Sequence, residues 1–323
     1  MMAPLSWVNA FTTWRLDLPS TIVFLVLGFG YLVLLRRVKG WPVRDVLLFE
    51  FGVVLGLIAV NSSIEAYSRT LYWMHMIQHL MMIMVVPAFL ILGRPLTLLA
   101  RVGGQRVAGV LRGRTVAALT APPVTLVFYA VVVVGTHLTA FLPAVRDNPG
   151  LRYLELVLYL LSGYLFFITM FNCEPIRWRL SYPLRLFLSF IGMVVDTVVG
   201  VILMMHNTDA FAISGMVPND WGPAPLSDLR TGGAVMWVLG DGLMVLIAVY
   251  IIGAWISAPR DAGMGRWLEA ARRQQFAEAT GTQPETAPEH GEDSTIDDEE
   301  EANLAAYNAM LRRLAAGEHR RER

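Results

Sequence analysis

Residues 71–92 read LYWMHMIQHLMMIMVVPAFLIL, with no Asp, Glu, Lys or Arg among them. A helix needs about 20 such residues to cross the hydrocarbon core of a bilayer, so this stretch is long enough to span one. Pro87 lies in its interior and predicts a kink. His75 and His79 are four positions apart, which puts both imidazoles on one helix face, one turn above the other.

Working outward, six more apolar stretches of similar reach lie near 19–35, 45–63, 115–136, 151–171, 184–206 and 232–256. The composition agrees: 55% of the chain is hydrophobic and only 16% charged, against about 25% charged in ordinary soluble domains. The expected fold is all-α, a polytopic membrane bundle of seven transmembrane helices over 1–257. A soluble charged tail follows over 258–323. Within the tail, residues 280–300 are polar, acidic and proline-containing, the composition of a disordered segment. Residues 300–316 place apolar side chains at helical spacing and predict a short amphipathic helix.

Orientation follows from the basic loops. Arg36, Arg37, Lys39 and Arg44 separate the first two segments. Arg94, Arg101, Arg106, Arg112 and Arg114 separate the third and fourth, and Arg177, Arg179 and Arg185 the fifth and sixth. The alternate loops hold far fewer: Arg15, Arg69, Arg146, Arg152 and Arg230. The rich set faces the cytoplasm, so the N-terminus is expected outside and the C-terminus inside. Residues 1–18 lack the basic start and short apolar core of a cleavable signal, and Trp7 and Trp14 suit a membrane interface.

Several function classes drop out. A net charge of zero gives no reason to expect nucleic acid as a partner. Cys173 is the single cysteine, which excludes an intramolecular disulfide or a CxxC redox pair. Lys39 is the single lysine and lies in a loop, so no retinal Schiff base can form inside a helix.

On this topology His75, His79, His137 and His206 all fall towards the extracytoplasmic ends of their helices, while His290 and His319 lie in the tail. An i, i+4 histidine pair can hold one metal, but Met76, Ile77 and Gln78 intervene where a zinc protease needs a glutamate. Met74, Met76, Met81, Met82 and Met84 surround the pair, and Met204 and Met205 precede His206. Thioether and imidazole together favour copper, especially Cu(I), over hard divalent cations. The candidate metal residues are therefore His75, His79, His137, His206, Met76 and Met205. The competing readings are methionine as packing filler and histidine as an interhelical hydrogen-bond partner. Glu155, Asp196 and Asp241 are ionisable groups at membrane depth, candidates to support the metal or relay protons. Glu50 is a further buried acid. Gly232 and Gly233 read as packing residues.

His75-Met76-Ile77-Gln78-His79, followed by Pro87 and Leu92-Gly93-Arg94-Pro95-Leu96, resembles the signature of the CtaG-type cytochrome c oxidase assembly proteins. Trp14-Arg15-Leu16-Asp17, Trp41-Pro42, Asp228, Gly232-Gly233, Met236 and Trp237 extend the resemblance over roughly 10–256. It implies a non-enzymatic assembly factor in a bacterial inner membrane that handles copper for a haem-copper oxidase. The implied partners are oxidase subunits or a copper chaperone. His75 and His79 are the implied ligands, with His137 as a third. Where that family often has H-x-x-E-H, this chain has Arg152-Tyr153-Leu154-Glu155-Leu156, keeping the acid and lacking both histidines. Leu229 replaces the glutamine that follows the aspartate of the last helix. A membrane protein carrying b-type haem, with His79 and His137 as axial ligands, and a copper transporter are the alternatives.

Overall fold

The computed structural model describes residues 4–207, 214–217 and 219–258. These are helical throughout, with no strand among them. A short α1 (Trp7–Thr12) leads into α2 (Leu18–Leu35) and α3 (Val43–Asn61), and one turn of α4 (Ser63–Tyr67) follows. The stretch that opened the sequence reading forms α5 (Tyr72–Leu80), a π-helical turn (Met81–Val85) and α6 (Val86–Leu92). Then come α7 (Pro95–Leu111), α8 (Arg114–Leu119), α9 (Pro122–His137), α10 (Phe141–Asp147), α11 (Pro149–Phe171), α12 (Tyr182–Met204) and α13 (Pro225–Ile256). The expected tail and its amphipathic helix lie outside the described residues.

Each of the seven expected segments is helical, but five are both long and apolar enough to span: α2, the α5–α6 rod, α11, α12 and α13. A sixth is reached if α9 and α10, bent by 65° at their junction, count as one broken span. Charge and length separate the rest: α3 carries Arg44, Asp45 and Glu50, and α9 is only 16 residues long. Val23, Val26 and Phe29 on α2, Phe187 and Phe190 on α12, and Leu246 and Val249 on α13 are exposed. An outer surface of this kind suits lipid rather than water.

Where a kink is expected at Pro87, the helix carries a π turn over Met81–Val85 just before the proline. Proline has no N–H and cannot bond the carbonyl one turn back, which here is Ile83. The freed Ile83 carbonyl faces α11 at Gly163, where an added Cβ would lie 1.7 Å from the Ile83 oxygen and 3.0 Å from Pro87 Cγ. A glycine is needed there because the two backbones approach so closely. On the other side of the bundle, Gly200 of α12 and Gly233 of α13 face each other's carbonyl oxygens, with added Cβ atoms at 2.9 and 2.7 Å. The glycines of the last helix serve packing, as expected.

The Leu92-Gly93-Arg94-Pro95 motif forms the corner between α6 and α7. Arg94 adopts a left-handed conformation (φ 54°) and pairs with Asp45. Tyr31 Oη donates to the Gly93 carbonyl (2.7 Å), and Trp41 Nε1 donates to Tyr31 Oη (2.9 Å). Arg94 and Arg101 both stack over Trp41, at 5.3 and 5.1 Å from the ring centroid. No side chain at the start of α7 caps it. Glu174, beyond the end of α11, does so from a distance, accepting from Leu96 N (3.0 Å), Thr97 N (2.8 Å) and Thr97 Oγ1 (2.8 Å).

Two outcomes are expected. Gly163→Ala lowers stability in detergent by about 1–3 kcal/mol or more, because the new methyl meets backbone rather than a movable side chain; an unchanged melting curve refutes the close approach. Burial pushes the Glu174 carboxyl up to about 7, against the donors that cap it. The folded state thus holds this proton more tightly than the unfolded chain does. Stability from this group falls as pH rises from the ordinary value of 4.5 towards 7. Glu174→Gln should flatten that part of the stability–pH curve.

Candidate functional site

Helix α5 carries His75 and His79 on the face turned towards α9 and α11. His137 is the last residue of α9, which brings its ring to the same place. The ring centroids of His79 and His137 are 4.6 Å apart, edge to face, and those of His75 and His137 are 6.0 Å apart. Tyr159 of α11 closes the group, 4.4 Å from His79 and edge-on to it. All three histidines are buried, His137 completely.

Their nitrogens are unevenly provided for. His137 Nδ1 lies 2.9 Å from the Val133 carbonyl, which can only accept, so Nδ1 carries the proton. That tautomer leaves Nε2 as a lone pair. Among the described residues, His137 Nε2, His75 Nε2 and both ring nitrogens of His79 are buried without a hydrogen-bond partner. Buried polar atoms are seldom left so. No group of three or more His, Cys, Asp or Glu among the described residues is arranged to hold a metal ion. The rings pack against one another instead of converging on one point.

An ion network borders the imidazoles. Glu155 Oε1 is 3.6 Å from His75 Nε2 and accepts from Tyr159 Oη (3.1 Å). Glu155 Oε2 accepts from Arg152 Nη1 (2.9 Å), one turn away on α11. Arg152 also pairs with Glu65 of α4 and donates to Gln78 Oε1 (2.7 Å). Gln78 in turn donates to Glu65 Oε2 (2.6 Å) and to the Ala59 carbonyl (2.7 Å). Gln78 thereby ties the helix that carries His75 and His79 to both α3 and α4. Glu155 is 0% and Arg152 6% exposed, so the network is held out of solvent.

The start of α5 is fixed from the far end of the sequence. Leu71 offers no side-chain cap. Asp228, in the first turn of α13, accepts from Tyr72 N (2.7 Å) and Trp73 N (3.2 Å). One turn on, Gly232 makes room for the Tyr72 ring, since a Cβ there would fall 2.4 Å from it.

The other sequence candidates sit elsewhere. Met76 is buried, but against Gly232 of α13, a helical step from the histidine face. Met205 is 72% exposed. His206 lies just beyond α12, half-buried, and its carbonyl accepts from Arg230 (3.3 Å). Asp196 is buried and takes both its oxygens' bonds from Tyr129 Oη (2.9 and 3.1 Å), while Asp241 accepts from Thr197 Oγ1 (2.7 Å). The pair forms its own polar patch between α9, α12 and α13.

Sequence reasoning missed Glu65, Gln78 and Tyr159, and counted Arg152 as a loop charge. The i, i+3 spacing of Arg152 and Glu155 at the start of an apolar segment is the signal that marks them as a helical ion pair. Nothing local marks Glu65.

An all-helical bundle with apolar outer faces and a buried histidine and ion cluster at one end defines a polytopic membrane protein. Residues 28–258 match the cytochrome c oxidase caa3 assembly factor family, and the chain belongs to it. It is similar to an uncharacterized protein of Mycobacterium bovis, 27% identical over 332 residues that cover 97% of this chain and 46% of the relative. An uncharacterized protein of Mycobacterium leprae is 28% identical over 331 residues, with the same coverage. The chain thus spans about half the length of these curated relatives. No solved structure gives a significant match.

Removing the distant cap tests how α5 is positioned. Asp228→Ala should cost about 1–2 kcal/mol of stability, as loss of a buried cap does. Asp228→Asn, which keeps one acceptor, should cost less. Equal and negligible effects in denaturation curves would mean that α5 starts without it.

Proposed function

We propose that this protein is a non-enzymatic assembly factor for a haem-copper oxidase that handles Cu(I) at the extracytoplasmic side of a bacterial plasma membrane. The observation that carries the reading is the set of unpartnered nitrogens on His75, His79 and His137, buried together where three helices meet. Neutral imidazole suits Cu(I), and hard cations prefer oxygen. The bound copper would be cargo on its way to an oxidase centre.

On this reading the chain's own residues do simple things. Val133 fixes the His137 tautomer, so that Nε2 is the free donor. Gln78 and Asp228 hold the register of α5. Tyr159 and Tyr72 exclude water from the rings. The rings must turn from their present packing to take a metal. Their free nitrogens leave them no hydrogen bonds to break in doing so, except at His137 Nδ1. His206 and Met205, at the end of α12, serve as outer ligands on the way in or out. Glu155 lines the site, and Asp196 and Asp241 sit behind it.

Orientation rests on the excess of arginine in the loops after α2, α6, α11 and α13, which puts the histidine end outside. In this arrangement all seven segments cross, with α3 and α9 as the shorter or more polar spans. The soluble tail lies on the cytoplasmic side. Oxidase subunits and a copper chaperone are the proposed partners. The haem reading is disfavoured by the contact between the His79 and His137 rings at 4.6 Å, because a macrocycle clamped by both would have to lie between them.

The test is metal content and an optical spectrum of the purified full chain, wild type beside His75→Ala/His79→Ala, after exposure to Cu(I) without oxygen. Copper bound by the wild type and lost in the folded double variant, with no Soret band, is expected. Unchanged copper in the variant, or a haem spectrum, overturns the proposal.

A further inference from the structure

The buried guanidinium beside the histidines has a consequence for which cation they accept. Arg152 lies against Glu155 at 2.9 Å, and the other oxygen of that carboxylate is 3.6 Å from His75 Nε2. One carboxylate's width therefore separates a fixed positive charge from the nearest free imidazole nitrogen. Arg152 cannot retreat, because Glu65, Gln78 and Ser68 hold its Nη2 from α4 and α5. It cannot lose its proton either, since a guanidinium stays charged in proteins.

We infer that Arg152 is the residue that sets the charge selectivity of this site, admitting a monovalent soft cation and rejecting divalent ones. The inference rests on the proposed metal-handling role of the three histidines and adds to it a residue and a rule. Two effects act in the same direction. Three neutral imidazoles bring no charge, so a bound ion feels the Glu155 carboxylate, the nearest charge, which attracts it, and the Arg152 guanidinium behind it, which cancels part of that attraction. Repulsion from the guanidinium grows in proportion to the ion's charge, and burial leaves it weakly screened. The attraction that Arg152 cancels is therefore twice as large for a divalent ion as for a monovalent one. In addition, Glu155 is the nearest hard anionic donor, and both its oxygens are engaged, Oε2 by Arg152 and Oε1 by Tyr159. Divalent zinc gains from a carboxylate ligand, whereas Ag(I) and Cu(I) gain little. Arg152 thus opposes the double charge and withholds the ligand that would offset it. Arg69, which pairs with the far oxygen of Glu65 at 3.3 Å, is 47% exposed at its side chain, so solvent screens its contribution.

The experiment measures Ag(I) and Zn(II) affinities of the detergent-purified full chain by competition with chelators. Ag(I) stands in for Cu(I) without its redox chemistry. Wild type should bind Ag(I) and hold Zn(II) far more weakly. Arg152→Gln should tighten Zn(II) by about tenfold or more with a much smaller change for Ag(I), as expected for loss of a close buried charge. Arg152→Lys, which keeps the charge, should leave Zn(II) weak. If Arg152→Gln fails to fold with two carboxylates unpaired, Glu65→Gln/Arg152→Gln removes the ion pair as a neutral unit, still frees Glu155, and should show the same gain in Zn(II). Wild type that binds Ag(I), with Zn(II) affinity unmoved in these variants, overturns the role of Arg152 and leaves the metal-handling role standing. Wild type that already binds Zn(II) as tightly as Ag(I) also overturns it. Wild type that binds neither ion overturns both.

Discussion

The first N–H groups of a helix have no partner within it, and two such ends here are completed by carboxylates from far along the chain. Asp228 of α13 caps α5, and Glu174 after α11 caps α7. Neither helix has a side-chain cap of its own. Each unsatisfied N–H in a dry interior costs a few kcal/mol, so these contacts fix where the helices begin. The rod that carries the histidines is held at its first turn by one carboxylate. The helix that continues from its far end is held by the other.

Between these ends the winding of the rod is altered by its own sequence. Pro87 removes a backbone bond, the chain widens into a π turn over Met81–Val85, and Gly163 lets α11 close on the carbonyl released. This contact brings α11 against the rod. One and two turns before Gly163 along α11 lie Tyr159 and Glu155, which thereby come up beside His79 and His75. The packing at the π turn and the chemistry at the end are one arrangement, because a straight helix can be laid against another only as a whole.

The sequence revealed one side of this site. Four-residue spacing put His75 and His79 on one face, and the position of His137 at the end of its apolar run brought it to the same end of the bundle. These are local signals, and hydropathy with helical periodicity carries them. The caps were not legible as caps. Asp228 was noticed only as an opening residue of the last helix and within the resemblance, and Glu174 not at all, because 156 and 78 residues separate them from the backbone groups they serve. Arg152 was misjudged for a related reason. Counting basic residues by loop is a sound guide to topology, but it assigns every arginine near a segment end to water. This one lies in the first turns of α11 and points inward to Glu65, a residue on the single turn of α4 that no periodicity marks. The seven apolar runs were all found as helices, while α3 shows how a segment with Arg44, Asp45 and Glu50 can be helical and yet fall short of an unaided span.

The polar cluster at the histidine end is hard to account for by stability alone. A buried ion pair gains little over well-packed apolar side chains of the same volume, since desolvation cancels most of the attraction. Here the arrangement includes a guanidinium, two carboxylates and an amide, all buried beside three imidazoles whose free nitrogens make no hydrogen bonds. The arrangement also differs from the Asp196–Tyr129 pair, where one tyrosine hydroxyl serves both oxygens of the Asp196 carboxylate, while the neighbouring Asp241 keeps one buried oxygen unbonded. Satisfied polar groups specify packing. At the histidine end, by contrast, four imidazole nitrogens are left without hydrogen bonds while Glu155, Glu65 and Gln78 are all tied to Arg152, and packing alone does not call for that combination.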